Sequence, residues 1–199
     1  MRIAVFGETT RTKQFILNRA LSAGYFVNVL DEVDSKKRNR KNLKVFGGKN
    51  LDLKNIKRVT KNTDAVLCLL LNPKHENIEI MNFIKNLASC MEDSAIRRLV
   101  IFSCIQENTA TIPSKSKNLL TLILSKYKKS SRQYDIKDIL KKTNIDWTIV
   151  GHPPVAETLS DDIAEYKQDP EGFRADLAKR LVGQITDVTY LHDTLLLQA

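Results

Sequence analysis

Glycine is scarce in this sequence: 7 of the 199 residues are glycine, about half the usual share of ~7%. A glycine-rich ligand loop therefore has few glycines available. Cysteine is also scarce, since Cys68, Cys90 and Cys104 are odd in number and show no Cys-x-x-Cys spacing. This usage argues against a disulfide framework and predicts a reduced, cytoplasmic compartment. No metal site is predicted, because His75 and His192 have no partners at metal-ligand spacing.

Long hydrophobic runs are absent as well. The longest apolar run, Ala65–Leu71, is far shorter than the ~20 residues of a membrane-spanning helix. The apolar run Ile3–Phe6 is too short for the core of a signal peptide. We therefore expect neither a membrane segment nor export. A chain of this length buries roughly 70% of the surface that its unfolded form exposes, and we predict one domain over residues 1–199.

Charged residues are plentiful, give a formal net charge of +9, and are unevenly distributed along the sequence. Residues 36–61 hold eleven basic residues and one acidic residue, Asp52, whereas residues 155–176 hold seven acidic residues and two basic ones. The basic block fits either an anion or nucleic-acid surface or simply solvated helix faces. Since Phe46 is the one aromatic residue interleaved there to stack on a base, we expect no specific nucleic-acid partner.

Short apolar strands alternate with amphipathic helices along the whole chain. The predicted strands are Arg2–Phe6, Phe26–Leu30, Leu43–Phe46, Ala65–Leu71, Arg98–Ser103 and Trp147–Val150, followed by a last apolar segment Thr194–Gln198. The predicted helices are Thr12–Ala23, Leu53–Thr60, His75–Met91, a helix around Ser131–Thr143, and Arg174–Thr186. This alternation indicates an α/β fold with a doubly wound parallel sheet of the Rossmann type. We expect strand order 3-2-1-4-5-6 with a further C-terminal strand.

The beginning of the chain has the layout of a dinucleotide-binding unit. The strand Arg2–Phe6 stops at Gly7, a helix follows, and the second strand ends at Asp31, 24 positions after the glycine. In such a unit the pyrophosphate rests on the N-terminus of the first helix, where free N–H groups favour an anion.

The segment MRIAVFGETTRTKQFILNRALSAGYFVNVL resembles the opening of the atypical short-chain dehydrogenase/reductase family, in the group with NmrA-like and flavin-reductase (biliverdin reductase B-like) members. Further blocks are similar in order along the chain, namely LKVFGGKNLD, NTDAVLCLLL, IRRLVIFSC, NIDWTIVGHPP and FRADLAKRLVG. The resemblance implies an NAD(P)H-dependent oxidoreductase that acts on a small conjugated or flavin-like acceptor. The alternative it leaves open is a non-catalytic NmrA-like protein that senses a dinucleotide or contacts another protein or a second copy of itself.

The first turn departs from the family pattern G-A-T-G-x-T-G. Gly7 matches its first glycine, but Thr10 and Lys13 stand where the second and third glycines are expected. Those glycines allow close approach to the pyrophosphate and close packing of helix on strand, so both replacements intrude. The remaining hydroxyls and positive charges still fit a phosphate, and the candidate cofactor ligands are Gly7, Thr9, Thr10, Arg11, Thr12, Lys13 and Asp31. A loop that no longer binds a cofactor is the alternative.

Asp31 stands where an acidic residue accepts a hydrogen bond from the ribose 2′-hydroxyl and disfavours a 2′-phosphate. Glu32 occupies the place where NADP-using members of the family tend to have Arg. The cofactor is therefore NAD or NADP, with NAD favoured. The basic residues 36–38 follow closely and favour the opposite choice.

Candidate catalytic residues lie at the ends of two predicted strands. The Tyr-x-x-x-Lys pair of the wider superfamily is missing, since Tyr134 is followed by Lys137. Ser103 matches the first serine of the family's Ser-Ser and is a candidate to position nicotinamide or substrate by hydrogen bonding. His152 follows the sixth predicted strand, and its near-neutral pKa suits proton exchange. A serine that bonds its own backbone and a surface histidine are the alternatives.

Overall fold

The computed structural model describes residues 1–7, 10–31, 40–48, 52–70, 77–104, 132–152 and 169–196. The strands are β1 Arg2–Phe6, β2 Phe26–Asp31, β3 Leu43–Gly47, β4 Ala65–Leu70, β5 Arg98–Cys104, β6 Asp146–His152 and β7 Asp193–Leu196. The helices are α1 Arg11–Ser22, α2 Leu53–Thr60, α3 Asn77–Asp93, α4 Arg132–Leu140 and α5 Pro170–Gly183.

The seven strands form one sheet in the order β3-β2-β1-β4-β5-β6-β7, and every neighbouring pair is parallel. This order confirms the predicted Rossmann-type topology with an added C-terminal strand. Crossovers run one way from β1 to β3 and the other way from β4 onward, so the order reverses between β1 and β4. Open α/β sheets bind their ligands at such a switch point, outside the carboxyl ends of the strands.

Side chains of each strand alternate between two apolar layers. In β1, Ile3 and Val5 pack on one side with α1 and α5, while Ala4 and Phe6 pack on the other with α2, α3 and α4. The Phe6 ring meets the ring of Phe83 on α3 edge to face, with centroids 5.7 Å apart. Burial on both faces explains why the strands are almost continuously apolar.

Element boundaries differ from the predictions by a few residues. Helix α5 begins at Pro170 instead of Arg174, because the carboxylate of Asp169 accepts a hydrogen bond from the backbone N–H of Gly172 at 2.9 Å and caps an earlier turn. Helix α4 ends at Leu140 instead of Thr143. The predicted boundary residues Leu71, His75, Ser131 and Gln198 lie outside the described residues.

Candidate functional site

Gly7 is the first residue beyond β1 at the carboxyl edge of the sheet. Its φ of 128° is a conformation that residues with a side chain rarely adopt. A Cβ atom on Gly7 would also lie 2.7 Å from the Cβ of Leu69 and 2.8 Å from its carbonyl oxygen. The chain therefore needs glycine here twice over: for the backbone conformation, and for the close approach of this turn to β4.

Helix α1 starts immediately after this turn. Thr10 is its N-cap, and the Thr10 hydroxyl accepts a hydrogen bond from the backbone N–H of Lys13 at 3.1 Å. The first turn of α1 contains no acidic residue. The positive end of the helix dipole is therefore not neutralised within the helix itself, which favours an anion at this position.

Lys13 is buried, with 3% of its surface exposed. Its Nζ donates hydrogen bonds to the carbonyl oxygen of Gly7 at 2.7 Å and to that of Leu30 at 2.5 Å. The last residues paired between β1 and β2 are Val5 and Val29, so the ammonium joins the two strands just beyond the end of their ladder. The helix residue that replaces the family's third glycine thus spans the space between the two strand ends.

Arg11 is held by a different contact. Its guanidinium forms a salt bridge of 2.7 Å with Glu171 in the first turn of α5, and both side chains are about two-thirds exposed, at 66% and 61%. Part of the acidic block predicted from the sequence therefore lies beside the start of α1. An exposed ion pair of this kind contributes little to stability, so an arriving phosphate can compete for Arg11.

Asp31 ends β2 on the same edge of the sheet, and 8% of its surface is exposed. Its carbonyl oxygen accepts a hydrogen bond from the backbone N–H of Gly48 at 3.1 Å, which ties the end of β2 to the turn after β3. The structure thus brings Gly7, Thr10, Lys13 and Asp31 together around the ends of β1 and β2. Thr12 lies in the first turn of α1 and is half-buried, and Thr9 is outside the described residues.

Ser103 lies near the end of β5 and has 2% of its surface exposed. It is in register with Leu70 of β4 and with Gly151 of β6. Because Gly151 has no side chain, the neighbouring strand presents only backbone beside Ser103. His152 is the last residue of β6 and pairs with Cys104, but its side chain lies outside the described part of the structure.

The sequence analysis missed several polar residues of the interior, of which Asn28 and Arg98 make the most informative contacts. Asn28 in β2 is buried and donates to the carbonyl of Val59 at 2.8 Å, which anchors the end of α2. Arg98 begins β5 at the opposite edge from the candidate site, is 8% exposed, and donates to the carbonyl of Gln184 and to the hydroxyl of Thr148 at 2.6 and 2.8 Å. Burial lowers the pKa of Arg98, and nearby Asp146 and Asp187 oppose that effect. A charged residue that opens an apolar strand was the available signal for Arg98.

The two cysteines whose side chains are described, Cys68 and Cys90, are buried and carry free thiols. Burial raises the pKa of both thiols. Neither is therefore suited to act as a nucleophile near neutral pH. Within the ranges that the structure describes, no group of three or more metal-binding side chains occurs, and no helix is long and apolar enough to cross a membrane.

Comparison with protein families gives one match over most of the chain. The model of a family described as NAD(P)H-binding matches residues 9–187. A comparison with curated protein sequences finds no match.

Comparison with solved structures finds the same fold in several proteins. An oxidoreductase from Lactococcus lactis has 14% identity and a TM-score of 0.68, with 98% of this chain and 90% of that chain covered. The enzyme WbmH of Bordetella bronchiseptica, in complex with NAD+, has 14% identity and a TM-score of 0.68, with 98% and 74% covered. A short-chain dehydrogenase/reductase from Veillonella parvula, in complex with NADP, has 12% identity and a TM-score of 0.65, with 98% and 93% covered. At these identities the likeness shows the shared fold.

Proposed function

The chain belongs to the NAD(P)H-binding family, and from that premise we propose that it is a cytoplasmic NAD(P)H-dependent oxidoreductase of the flavin-reductase type, acting on a small conjugated acceptor. The observation that carries the proposal is the turn at Gly7. Gly7 approaches β4 closely, and α1, which begins at the same edge and at the switch point of the sheet, has no acidic residue in its first turn. These residues fit an anionic dinucleotide, because the N–H groups at the start of α1 and the positive end of its dipole favour negative charge there.

Within this site the residues of the chain have distinct roles. The N-terminus of α1, with the hydroxyl of Thr12 and the backbone around Gly7, binds the pyrophosphate, and the Asp31 carboxylate accepts a hydrogen bond from the ribose 2′-hydroxyl. The nicotinamide, when bound, supplies hydride chemistry. Ser103 orients the reacting partners by hydrogen bonding at the end of β5, and His152 exchanges the proton that accompanies reduction. No tyrosine acid is needed for a conjugated acceptor.

Asp31 sets the preference for the cofactor in this proposal. A carboxylate that accepts a hydrogen bond from the 2′-hydroxyl repels a 2′-phosphate at the same place, so NADH binds more tightly than NADPH. The burial of Asp31 strengthens this effect, because charges separated from water interact through a lower effective dielectric constant. Asp31→Asn keeps the shape of the side chain and should shift the ratio of the two dissociation constants toward NADPH by about tenfold, equivalent to ~1.4 kcal/mol.

The test combines binding and turnover. NADH at 100 times its dissociation constant adds ~2.7 kcal/mol to the free energy of unfolding, which raises Tm by roughly 5 to 11 °C for a chain of this size. Calorimetry with NADH and NADPH then compares the wild type with Asp31→Asn and with Asp93→Asn, an exposed acid at the end of α3 that should change neither constant. Oxidation of NADH is followed by absorbance with a free flavin as acceptor.

Two results would contradict the proposal at different points. If neither dinucleotide changes Tm or releases heat, the chain does not bind the cofactor and the oxidoreductase assignment fails. If NADH binds but no flavin or conjugated acceptor is reduced, the cofactor site stands and the catalytic assignment fails. A preference for NADPH in the wild type would assign specificity to the basic residues 36–38 instead of Asp31.

A further inference from the structure

A cluster of exposed cations lies at the β3 edge of the sheet, opposite the β7 edge. We call it the basic face, and it comprises Lys44 of β3 together with Lys54, Lys57, Arg58 and Lys61 of α2 and its C-terminus. Strand β3 is an edge strand of the sheet, and no further strand among the described residues covers its outer side. The sequence alone placed these residues in one basic block, but only the fold brings β3 and α2 to one surface.

The ring of Phe46 joins the two parts of the basic face. The ammonium of Lys44 lies 5.0 Å from the ring centroid, and the guanidinium carbon of Arg58 lies 5.6 Å from it. Arg58 also donates a hydrogen bond to the side-chain oxygen of Asn55 at 3.1 Å, which fixes its orientation. The cation of the strand, Lys44, and the cation of the helix, Arg58, therefore both contact the ring of Phe46, and the two elements form one continuous positive surface.

Few carboxylates oppose this charge. Asp52 is the N-cap of α2, and its carboxylate accepts a hydrogen bond from the backbone N–H of Lys54, so this acid pairs with the helix backbone. Asp93 lines a cleft of about 410 Å³ that also includes Lys57 and Lys61. Across the described part of the chain no salt bridge joins a lysine of the basic face to an acidic residue. Most of the positive charge thus faces solvent.

We propose that the basic face binds the phosphate backbone of a nucleic acid without reading its sequence. Lys54, Lys57, Arg58 and Lys61 follow the spacing i, i+3, i+4, i+7, which makes one stripe about 10 Å long on α2. A nucleic-acid strand carries one phosphate charge per ~3.4 Å of helix axis, so the stripe meets several phosphates at once. Backbone contacts of this kind fix position but carry no sequence information.

The exposed apolar residues of β2 and α2 argue against a membrane as the partner of the basic face. Phe26 starts β2 at the amino edge of the sheet, whereas Leu53 starts α2 at the carboxyl edge. These two exposed side chains are at opposite ends of the surface and cannot insert into a bilayer together, as an interfacial anchor requires. Recognition by charge alone fits a polyanion in solution.

The experiment uses two variants with the same change in net charge. The test variant carries Lys54→Gln, Lys57→Gln and Lys61→Gln, and leaves Arg58 with its contacts to Asn55 and Phe46. The control variant carries Lys137→Gln, Lys141→Gln and Lys142→Gln in and after α4. Fluorescence anisotropy measures binding of a single-stranded RNA and of a DNA duplex, each of mixed sequence. Thermal unfolding of both variants checks that the fold is intact.

Between 50 mM and 200 mM salt the wild type should lose about 50-fold in affinity for the single-stranded RNA and about 150-fold for the DNA duplex, as expected for contacts to four phosphates. The test variant should lose about tenfold or more in affinity at 50 mM salt and most of this salt dependence. The control should stay within about twofold of the wild type. Binding of RNA, of duplex DNA or of both with these slopes supports the proposal, and the two arms show which backbone is preferred.

Other outcomes overturn it. An equal loss in the control would mean that the net charge of the whole chain is responsible. Competition by poly-glutamate as strong as that by RNA would assign the surface to an acidic protein. A large preference for one base sequence, or no binding at 50 mM salt, would also contradict backbone recognition. None of these results depends on the proposed dinucleotide site, which lies at the ends of β1 and β2.

Discussion

The buried ammonium of Lys13 provides the sharpest test of how this turn is built. In Lys13→Met the unbranched stem is kept and the charge is removed, so the carbonyl oxygens of Gly7 and Leu30 both lose their donor. A hydrogen bond to a charged group contributes about 1.5 to 3 kcal/mol, and the bond to Leu30 is fully buried. Part of that loss is offset because methionine carries no charge to desolvate.

The expected net loss is about 2 to 3 kcal/mol in the free energy of unfolding, which lowers Tm by roughly 4 to 12 °C for a chain of this size. Urea unfolding measures the free energy, and calorimetry measures Tm. The matched control is Lys85→Met, an exposed lysine within α3, which should change stability by no more than about 0.5 kcal/mol. If both variants unfold like the wild type, the ammonium does not join β1 to β2 in the way that the geometry indicates.

Binding of NADH to variants of the same turn separates two roles for Lys13. If its ammonium only joins the strand ends, Lys13→Met leaves the dissociation constant nearly unchanged, and replacing Thr10 and Lys13 by Gly strengthens binding because the backbone can close on the pyrophosphate. If the ammonium instead binds phosphate, Lys13→Met weakens binding by about 1.5 to 3 kcal/mol. We expect the first result. Undetectable binding in all variants would refute both and leave a turn that has lost its ligand.

Three further predictions concern positions away from Lys13. Gly7→Ala should destabilise the fold by about 2 to 4 kcal/mol, through backbone strain and through contact of the new Cβ atom with β4. The control Gly183→Ala should be neutral or stabilising, because its new Cβ atom meets nothing within 4 Å. Equal urea midpoints for the two variants would contradict this prediction. Arg98→Met should lower the free energy of unfolding by about 3 kcal/mol because several buried acceptors lose their donor, while the NADH dissociation constant stays the same, since Arg98 is at the opposite edge of the sheet. Burial raises the pKa of the Cys68 thiol, so the stability that the protonated thiol contributes is complete below the unfolded-state pKa of about 8.5 and decreases as pH rises above it. The free energy of unfolding should therefore be lower at pH 10 than at pH 7. Iodoacetamide should modify this thiol only after unfolding.

Local pattern determined most of the fold. The apolar runs and the helical periodicity predicted every described strand and helix. The predicted bounds of α2, Leu53–Thr60, are the observed ones. Periodicity succeeds here because a parallel sheet covered on both faces demands strands that are apolar throughout. The helix α5 start was missed because it depends on one capping carboxylate, that of Asp169, whose capping role periodicity does not report.

The sequence by itself also placed Gly7, Asp31 and Ser103 at one edge of the sheet, since each stands at the carboxyl end of a predicted strand and parallel strands end at one edge. What only the tertiary structure decided is where the charges go. The sequence placed Lys13 in the turn, but its ammonium meets the carbonyl of Leu30, 17 positions away, and Arg11 meets Glu171, 160 positions away. Long flexible cationic side chains take the acceptors that the fold brings within reach, and those acceptors exist only once the strands and helices have packed.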